Sequence, residues 1–204
     1  MTGRDQARFA IPGVIDLAHE WVGNALSRFA DTLPLRALDL TVGNGHDTGR
    51  LAAAVGQRGV VIGCDIQVEA LFRTSLHLQS IGLMERVRLI QTDHAHLSGQ
   101  LGSTWHGSVH AAMANLGYLP GGDKSRVTRG DTTEAMLRGV LPLLTLHGLL
   151  TVIVYSGHPG GAEELQVVTQ VADSLQPSLW RVAQVSFPGR AHHSPTLFAF
   201  ERMR

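Results

Sequence analysis

Polar residues follow several of the short apolar runs in this sequence of 204 residues. The first run leads into the loop Gly43-Asn44-Gly45-His46-Asp47-Thr48, and later runs lead into Asp65, Asp93 and Asn115. If the runs are parallel strands, these residues meet at one edge of a sheet, where open α/β sheets bind their ligands. We therefore treat them as candidates for a ligand site.

The glycine loop and Asp65 together predict the class of ligand. Gly43 and Gly45 allow a sharp turn and a close approach of backbone to a ligand, and the helix expected after them offers free N–H groups to a negative group. Asp65 lies 20 residues beyond Gly45, the separation at which an acidic side chain accepts hydrogen bonds from ribose hydroxyls. An adenosine-containing ligand is predicted. The alternative is that Asp39, Asp65 and Asp93 only cap the turns that follow them.

The residue three places after Gly45 separates two kinds of adenosine ligand. A dinucleotide loop of the form G-x-G-x-x-G needs glycine or alanine there, but this sequence has Thr48, and Gly49 comes one place too late. S-adenosylmethionine has no pyrophosphate to be held against such a loop. We therefore predict S-adenosylmethionine as the cofactor, with a nicotinamide oxidoreductase as the less favoured alternative.

Helical periodicity and apolar runs alternate along the chain. An amphipathic helix is predicted over 11–29, and apolar strands without a period of two predict a parallel sheet covered on both faces. The last two strands are joined by too few residues for a helical crossover, so we expect an antiparallel hairpin. The predicted strands are 37–40, 60–64, 87–91, 109–114, 149–155, 181–187 and 196–201, and the further helices are 47–55, 68–81, 132–144 and 162–175.

Composition limits the classes of protein that this chain can represent. Seventeen basic and seventeen acidic residues give zero formal charge, which excludes a protein that holds a polyanion through a large overall positive field. The length suits one domain over residues 1–204. A single cysteine, Cys64, excludes an internal disulfide, and the histidines at 94 and 96 lack further ligands at metal-site spacing, so no metal is expected. Without a signal-peptide core or a spanning segment, we expect a cytoplasmic protein and no membrane partner.

Several loop blocks together resemble the YtqB-like family of class I methyltransferases. The resemblance extends from about Ile11 to the C-terminus and is carried by residues 41–48, 65–67, 115–124 and 155–161. It implies an α/β, Rossmann-like fold with a seven-stranded, mostly parallel sheet, an antiparallel C-terminal hairpin and an N-terminal helix. It also implies S-adenosylmethionine as methyl donor and N-methylation of 5-aminomethyl-2-thiouridine at the tRNA wobble position.

The resemblance also assigns cofactor contacts. It implies that Gly43, Asn44, Gly45 and Asp47 surround the methionine part, that Asp65 and Gln67 contact the ribose and the adenine edge, and that Asp93 and His94 contact the adenine. Relatives usually carry a small hydroxyl residue where Asp93 stands, so the contact at Asp93 is expected to differ here.

Methyl transfer from a sulfonium requires a neutral amine held in line with the methyl group. Asn115 is our candidate to orient the nitrogen, and Tyr118 is a candidate to stack on a splayed uracil. Asp123 and His158 are candidates to bind the aminomethyl group or to accept its proton. For each of the last three residues, a purely structural role in its own loop is the alternative.

The expected partner is the anticodon loop of tRNA. Lys124, Arg126 and Arg129 are candidates for phosphate contacts, with a solvated face as the alternative, and a homodimer is the expected assembly. Other functions also remain open. These are an rRNA or small-molecule amine methyltransferase of the same fold, and a non-catalytic RNA-binding protein.

Overall fold

The structure is a computed structural model that describes residues 11–29, 34–117, 128–157, 159–187 and 194–204. Seven strands form one sheet. They are β1 (Arg36–Asp39), β2 (Val60–Asp65), β3 (Val87–Gln91), β4 (Val109–Leu116), β5 (Leu144–Val154), β6 (Trp180–Val185) and β7 (Thr196–Arg202). The α-helices in the described ranges are α1 (Val14–Ser27), α2 (His46–Ala54), α3 (Val68–Ser80), α4 (His94–Gln100), α5 (Gly130–Val140) and α6 (Gly161–Ser174).

The strands lie in the order β3-β2-β1-β4-β5-β7-β6. Strands β1 to β5 pair in parallel, whereas β7 pairs antiparallel with both β5 and β6. This arrangement confirms the predicted class I methyltransferase fold with its antiparallel C-terminal pair. The strand order reverses between β1 and β4, and a crevice opens at such a reversal, at the carboxyl ends of the two strands. The loop after β1 and the end of β4 therefore face one another across the crevice.

Both faces of the sheet are covered, as the continuous apolar strands predict. Along β4, Ala112, Ala114 and Leu116 pack into one buried cluster, while Ala111 and Met113 pack into another. Helices α4, α5 and α6 pack in a row on the first face. Helix α1 lies on the second face against β4 and β5 and also contacts α2. This packing brings the N-terminal helix to the crevice.

Three elements differ most from the sequence prediction, and the bounds of others, such as α1, differ by up to three residues. Helix α4 was not predicted, and α5 begins at Gly130 instead of 132 and ends at Val140, before a short 3-10 turn. Strand β5 begins at Leu144 instead of 149. The predicted turn at His147 lies inside this strand, where His147 has a φ of 63° and the pairing with β4 shifts register. Within the described ranges, no helix is long and apolar enough to cross a membrane.

Candidate functional site

A cavity of about 980 Å³ lies at the carboxyl ends of the central strands. It is large enough for a nucleoside-sized ligand together with part of a second molecule. Gly45 belongs to the same loop without lining the cavity. The predicted residues that line it are Gly43, Asn44, Asp47, Asp65, Gln67, Asp93, His94, Asn115 and Arg129. The structure therefore brings the polar strand ends together, as the spacing of these residues predicts.

The loop between β1 and α2 depends on glycine for its shape. Gly43 and Gly45 have φ values of 53° and 80°, in the left-handed region that favours glycine. A Cβ atom on Gly45 would lie 2.7 Å from the hydroxyl oxygen of Thr74 on α3. That hydroxyl donates a 3.2 Å hydrogen bond to the carbonyl of Gly43. Helix α3 therefore supports the loop from behind.

Asp65 connects this loop to the end of β2. One of its carboxylate oxygens accepts a 2.9 Å hydrogen bond from the N–H of Gly43, and the other accepts one of the same length from Gln67. Asp65 thus also caps the turn that follows β2, which is the alternative interpretation of this residue. Each carboxylate oxygen can accept a second hydrogen bond, so the side chain can still bind a ligand in the cavity that it lines.

Asp39 lies fully buried beneath the same loop. It accepts a 2.5 Å hydrogen bond from the hydroxyl of Thr48 and a 3.2 Å bond from the N–H of Thr41. Burial, together with the nearby charge of Asp47, raises the pKa of Asp39 to about 7. Thr48, which stands where a dinucleotide loop needs a small residue, is therefore a buried partner of Asp39 in this fold.

Asp93 and His94 begin helix α4. Asp93 caps the helix by accepting a 2.8 Å hydrogen bond from the N–H of Ala95. His94 is buried, and burial lowers its pKa, so its ring is neutral near pH 7. Its Nε2 atom has no hydrogen-bond partner in the part of the chain that the structure describes. Asp93 Oδ1 lies 3.8 Å away, which is too far for a hydrogen bond. His94 lines the cavity, and an unpartnered ring nitrogen suits a contact with a base.

Asp47 joins two side chains from distant parts of the chain. Its Oδ1 atom lies 2.6 Å from Nε2 of His19 on α1, and its Oδ2 atom accepts a hydrogen bond from the amide of Asn115. The backbone N–H of Asn115 donates a 2.7 Å bond to the hydroxyl of Thr41. His19 and Thr41 were not predicted as site residues, although His19 lies on the helix predicted at the N-terminus. Asn115 lines the cavity, as expected for its proposed role.

The remaining predicted residues divide into two groups. Arg129 lies at the cavity with an exposed side chain whose Nε is 3.2 Å from an oxygen of Asp131. The other predicted residues lie outside the described ranges. They are the catalytic candidates Tyr118, Asp123 and His158 and the RNA-binding candidates Lys124 and Arg126.

Comparison with known proteins gives one family and several similar chains. The model of the family described as "Putative rRNA methylase" matches residues 61–201. A curated protein of Arabidopsis thaliana, "tRNA (mnm(5)s(2)U34)-methyltransferase, chloroplastic", is 36% identical over 173 residues. The match covers 81% of this chain but 62% of the relative, so the chain spans less than two thirds of that protein's length.

Two solved structures share the whole architecture. The "putative rRNA-methylase" of Clostridium thermocellum is 32% identical with a TM-score of 0.87, and the match covers 96% of this chain and 100% of that one. A "putative methyltransferase" of Streptococcus mutans in complex with SAH is 27% identical with a TM-score of 0.81. That match covers 95% of this chain and 99% of the other.

Proposed function

Because the chain belongs to the rRNA methylase family, the YtqB-like methyltransferases, we propose that it N-methylates 5-aminomethyl-2-thiouridine at the wobble position of tRNA with S-adenosylmethionine as donor. The observation that carries this proposal is the cavity at the strand ends, where the cofactor loop lies beside Asn115. The oxygen Oδ1 of Asn115 is buried and has no hydrogen-bond partner among the described residues. A buried acceptor without a partner is costly, and a bound amine N–H would satisfy it.

The residues around the cavity fit S-adenosylmethionine. Asn44 and the backbone of Gly43 would hold its methionine part, and Asp65 would hold the ribose hydroxyls. Gln67, Asp93 and His94 would enclose the adenine, with the unpartnered Nε2 of His94 as a ready contact. When bound, the cofactor supplies a methyl group to the amine, with the carbon–sulfur bond breaking as the nitrogen–carbon bond forms.

The chain's own task is to present an amine nitrogen to the cofactor with its lone pair free. A primary amine has an ordinary pKa of about 10.4, so near neutral pH it must lose a proton before it can attack. Asn115 can accept one N–H of the amine and thereby orient the nitrogen. Holding reactants in line is the main contribution available to such a site. Tyr118, Asp123 and His158 remain proposed contributors.

A tRNA substrate is favoured over rRNA by the name of the Arabidopsis relative, which specifies the wobble uridine. The rRNA alternative is supported by the description of the family model. In our proposal Arg129, together with Lys124 and Arg126, contacts phosphates beside the target nucleotide.

The cytoplasm is the proposed location. The name of the Arabidopsis relative states a chloroplastic location for that protein.

The cofactor part of the proposal is tested by calorimetry with S-adenosylhomocysteine and with NAD. We expect S-adenosylhomocysteine to bind and NAD not to bind, because Thr48 fills the space that a dinucleotide loop keeps open. Tight NAD binding would overturn the cofactor assignment.

The RNA part is tested by supplying radiolabelled S-adenosylmethionine with bulk tRNA or with bulk rRNA. Label in rRNA alone would favour the alternative.

A homodimer is the proposed assembly. Helix α3 exposes Val68, Phe72 and Leu76 at intervals of four residues, which places them on one face of the helix. Glu69 and Arg73 flank this stripe with opposite charges, so two copies related by a twofold axis can pair them. Sedimentation at twice the chain mass of 22.0 kDa would support the pair.

A further inference from the structure

Two residues that line the same cavity, His19 and Asn115, each carry a buried hydrogen-bond acceptor without a partner among the described residues. These acceptors are Nδ1 of His19 and Oδ1 of Asn115. They come from α1 and β4, which are far apart in sequence, and both side chains bind Asp47. The side chains of His19 and Asp47 are only 11% and 13% exposed. One carboxylate therefore holds both groups in a largely dry environment.

The carboxylate of Asp47 determines which atoms of its partners carry hydrogen. An ionised carboxylate only accepts hydrogen bonds, so Nε2 of His19 and the amide nitrogen of Asn115 must be the donors. In the neutral imidazole the other nitrogen, Nδ1, then carries a free lone pair. The amide oxygen of Asn115 is likewise left as an acceptor. Asp47 thus accepts one hydrogen bond from each side chain and leaves two acceptors for a ligand.

We propose that Nδ1 of His19 accepts the proton of the substrate ammonium while Asn115 Oδ1 holds a second N–H, an inference that rests on the proposed function. In this step one N–H bond of the ammonium breaks and its electron pair stays on nitrogen. The proton forms a bond to Nδ1, and His19 becomes a cation paired with Asp47. After the methylated amine leaves, the proton passes from His19 to solvent. A primary ammonium has three N–H groups, so one can give its proton to Nδ1 while a second binds Oδ1 of Asn115. The lone pair is freed only by that proton transfer, and the amine must then rotate about its carbon–nitrogen bond to turn the pair from Nδ1 toward the methyl group.

Other ionisable groups surround this histidine. Helix α2 contributes Asp47, which hydrogen-bonds to His19, and His46 and Arg50, which line the same cavity. Tyr155, which follows β5, also lines the cavity, and burial together with the charge of Asp47 raises its pKa. Tyr155 therefore stays neutral and does not compete as a base. On α1 itself the nearby acids are Asp16 and Glu20.

Two further elements, β4 and β7, pack against α1. Their ionisable groups lie toward the far end of the helix. His110 of β4 contacts the ring of Phe29, and Glu201 of β7 pairs with Arg28 at 2.8 Å. These contacts leave Asp47 as the ionisable group that binds His19 directly.

The test compares the pH profile of kcat for His19→Gln with that of the wild type, using tRNA that carries the aminomethyl uridine. His106→Gln is the matched control, because His106 is exposed on the loop before β4 and does not line the cavity. We expect His19→Gln to lower kcat about 100-fold near neutral pH. The deficit should shrink as the pH rises toward and above about 10.4, where the free amine loses its proton without help. Affinity for S-adenosylhomocysteine should stay within about threefold, since no cofactor contact is removed.

The same deficit at every pH would show a merely structural role for His19 and would overturn the inference. An unchanged kcat in His19→Gln would overturn it as well. If the wild type itself methylates no amine, the proposed function fails instead, so the two failures are distinguishable.

Nitrogen NMR of the labelled wild type gives a second measurement that does not depend on a variant. We expect His19 to carry hydrogen on Nε2, and we expect the Nδ1 signal to shift when 5-aminomethyluridine is added with S-adenosylhomocysteine. Hydrogen on Nδ1 in the free protein would contradict the assignment of the acceptor. No shift of the Nδ1 signal with the nucleoside bound would contradict its role in binding the amine.

Discussion

At the scale of single residues, Asp39 illustrates how the site is built at a cost to stability. This buried acid holds the cofactor loop through Thr41 and Thr48, and burial raises its pKa to about 7 from an ordinary value of 3.8. Between these two values the unfolded chain has lost the proton that the native protein keeps. The native state is therefore destabilised progressively as the pH rises through this range.

We predict that Asp39→Asn removes this pH dependence. An asparagine can accept from the N–H of Thr41 and donate to the hydroxyl of Thr48, so the support of the loop is retained. Relative to the variant, the wild type should lose at most about 4 kcal/mol of unfolding free energy between about pH 4 and pH 7. Urea titrations at a series of pH values measure this. The control is Asp173→Asn, at an exposed position of α6, which should show the same pH dependence as the wild type. If the unfolding free energies of Asp39→Asn and the wild type changed in parallel with pH, the raised pKa would be contradicted.

Asp65 and Asn115 are predicted to affect different steps. Asp65→Ala removes the acceptor for the N–H groups of Gly43 and Gln67 along with the proposed ribose contact. Affinity for S-adenosylhomocysteine should fall about 10- to 100-fold. Asn115→Ala should instead lower kcat about 100-fold by misplacing the amine, with cofactor affinity largely kept. Calorimetry and steady-state kinetics separate the two, and an equal loss of both quantities in Asn115→Ala would remove it from its proposed role.

At the scale of elements, the turn into α2 depends on Gly45. Gly45→Ala combines a left-handed φ of 80° with a Cβ contact of 2.7 Å to Thr74. Gly56→Ala is the matched control, because Gly56 has a φ of 73° and nothing within 4 Å of its Cβ position. We expect each variant to lose about 1 to 2 kcal/mol from backbone strain and Gly45→Ala to lose more through the clash. Thermal unfolding of the two variants measures the difference. Equal losses of stability would show that Thr74 on α3 moves aside at no cost.

The central strands could be predicted from sequence because they are largely buried on both faces and read as continuous apolar runs. The start of β5 could not, since His147 and Gly148 interrupt the run and indicate a turn. In the fold they lie within the strand as an irregularity, with the register shifting between Val109 and Ala111 of β4. Helix α4 was missed because it has only seven residues and buries only His94 and Leu97, too few to show a helical period.

The candidate site was predictable to the extent that it is local in sequence. The glycine loop and Asp65 are separated by a fixed interval that the βαβ unit itself sets. His19 could not be assigned in this way, because its contact with Asp47 spans 28 residues and the Asp47 contact with Asn115 spans 68. Such contacts depend on how α1 and α2 pack against the sheet, and spacing along the chain carries no information about that.

At the scale of the whole molecule, zero net charge means that the proposed RNA substrate must be held by a local basic surface. Arg129 is a described member of that proposed surface, and Asp131 partly neutralises it. We predict that Arg129→Gln weakens tRNA binding and reduces the slope of log affinity against log salt by about one. Asp131→Asn should strengthen binding. The control is Arg58→Gln, because Arg58 lies just before β2, at the end of the sheet opposite the cavity. It should change neither the affinity for tRNA nor the salt slope. An unchanged slope in Arg129→Gln would exclude a phosphate contact.

The central claim is that this fold methylates an amine on the tRNA wobble uridine. Its most direct test is nucleoside mass spectrometry of tRNA that carries 5-aminomethyl-2-thiouridine, after incubation with the protein and S-adenosylmethionine. We expect the wobble nucleoside to gain one methyl group and become 5-methylaminomethyl-2-thiouridine, with no other nucleoside changed. An unchanged wobble nucleoside, with methyl appearing in rRNA under the same conditions, would contradict the account.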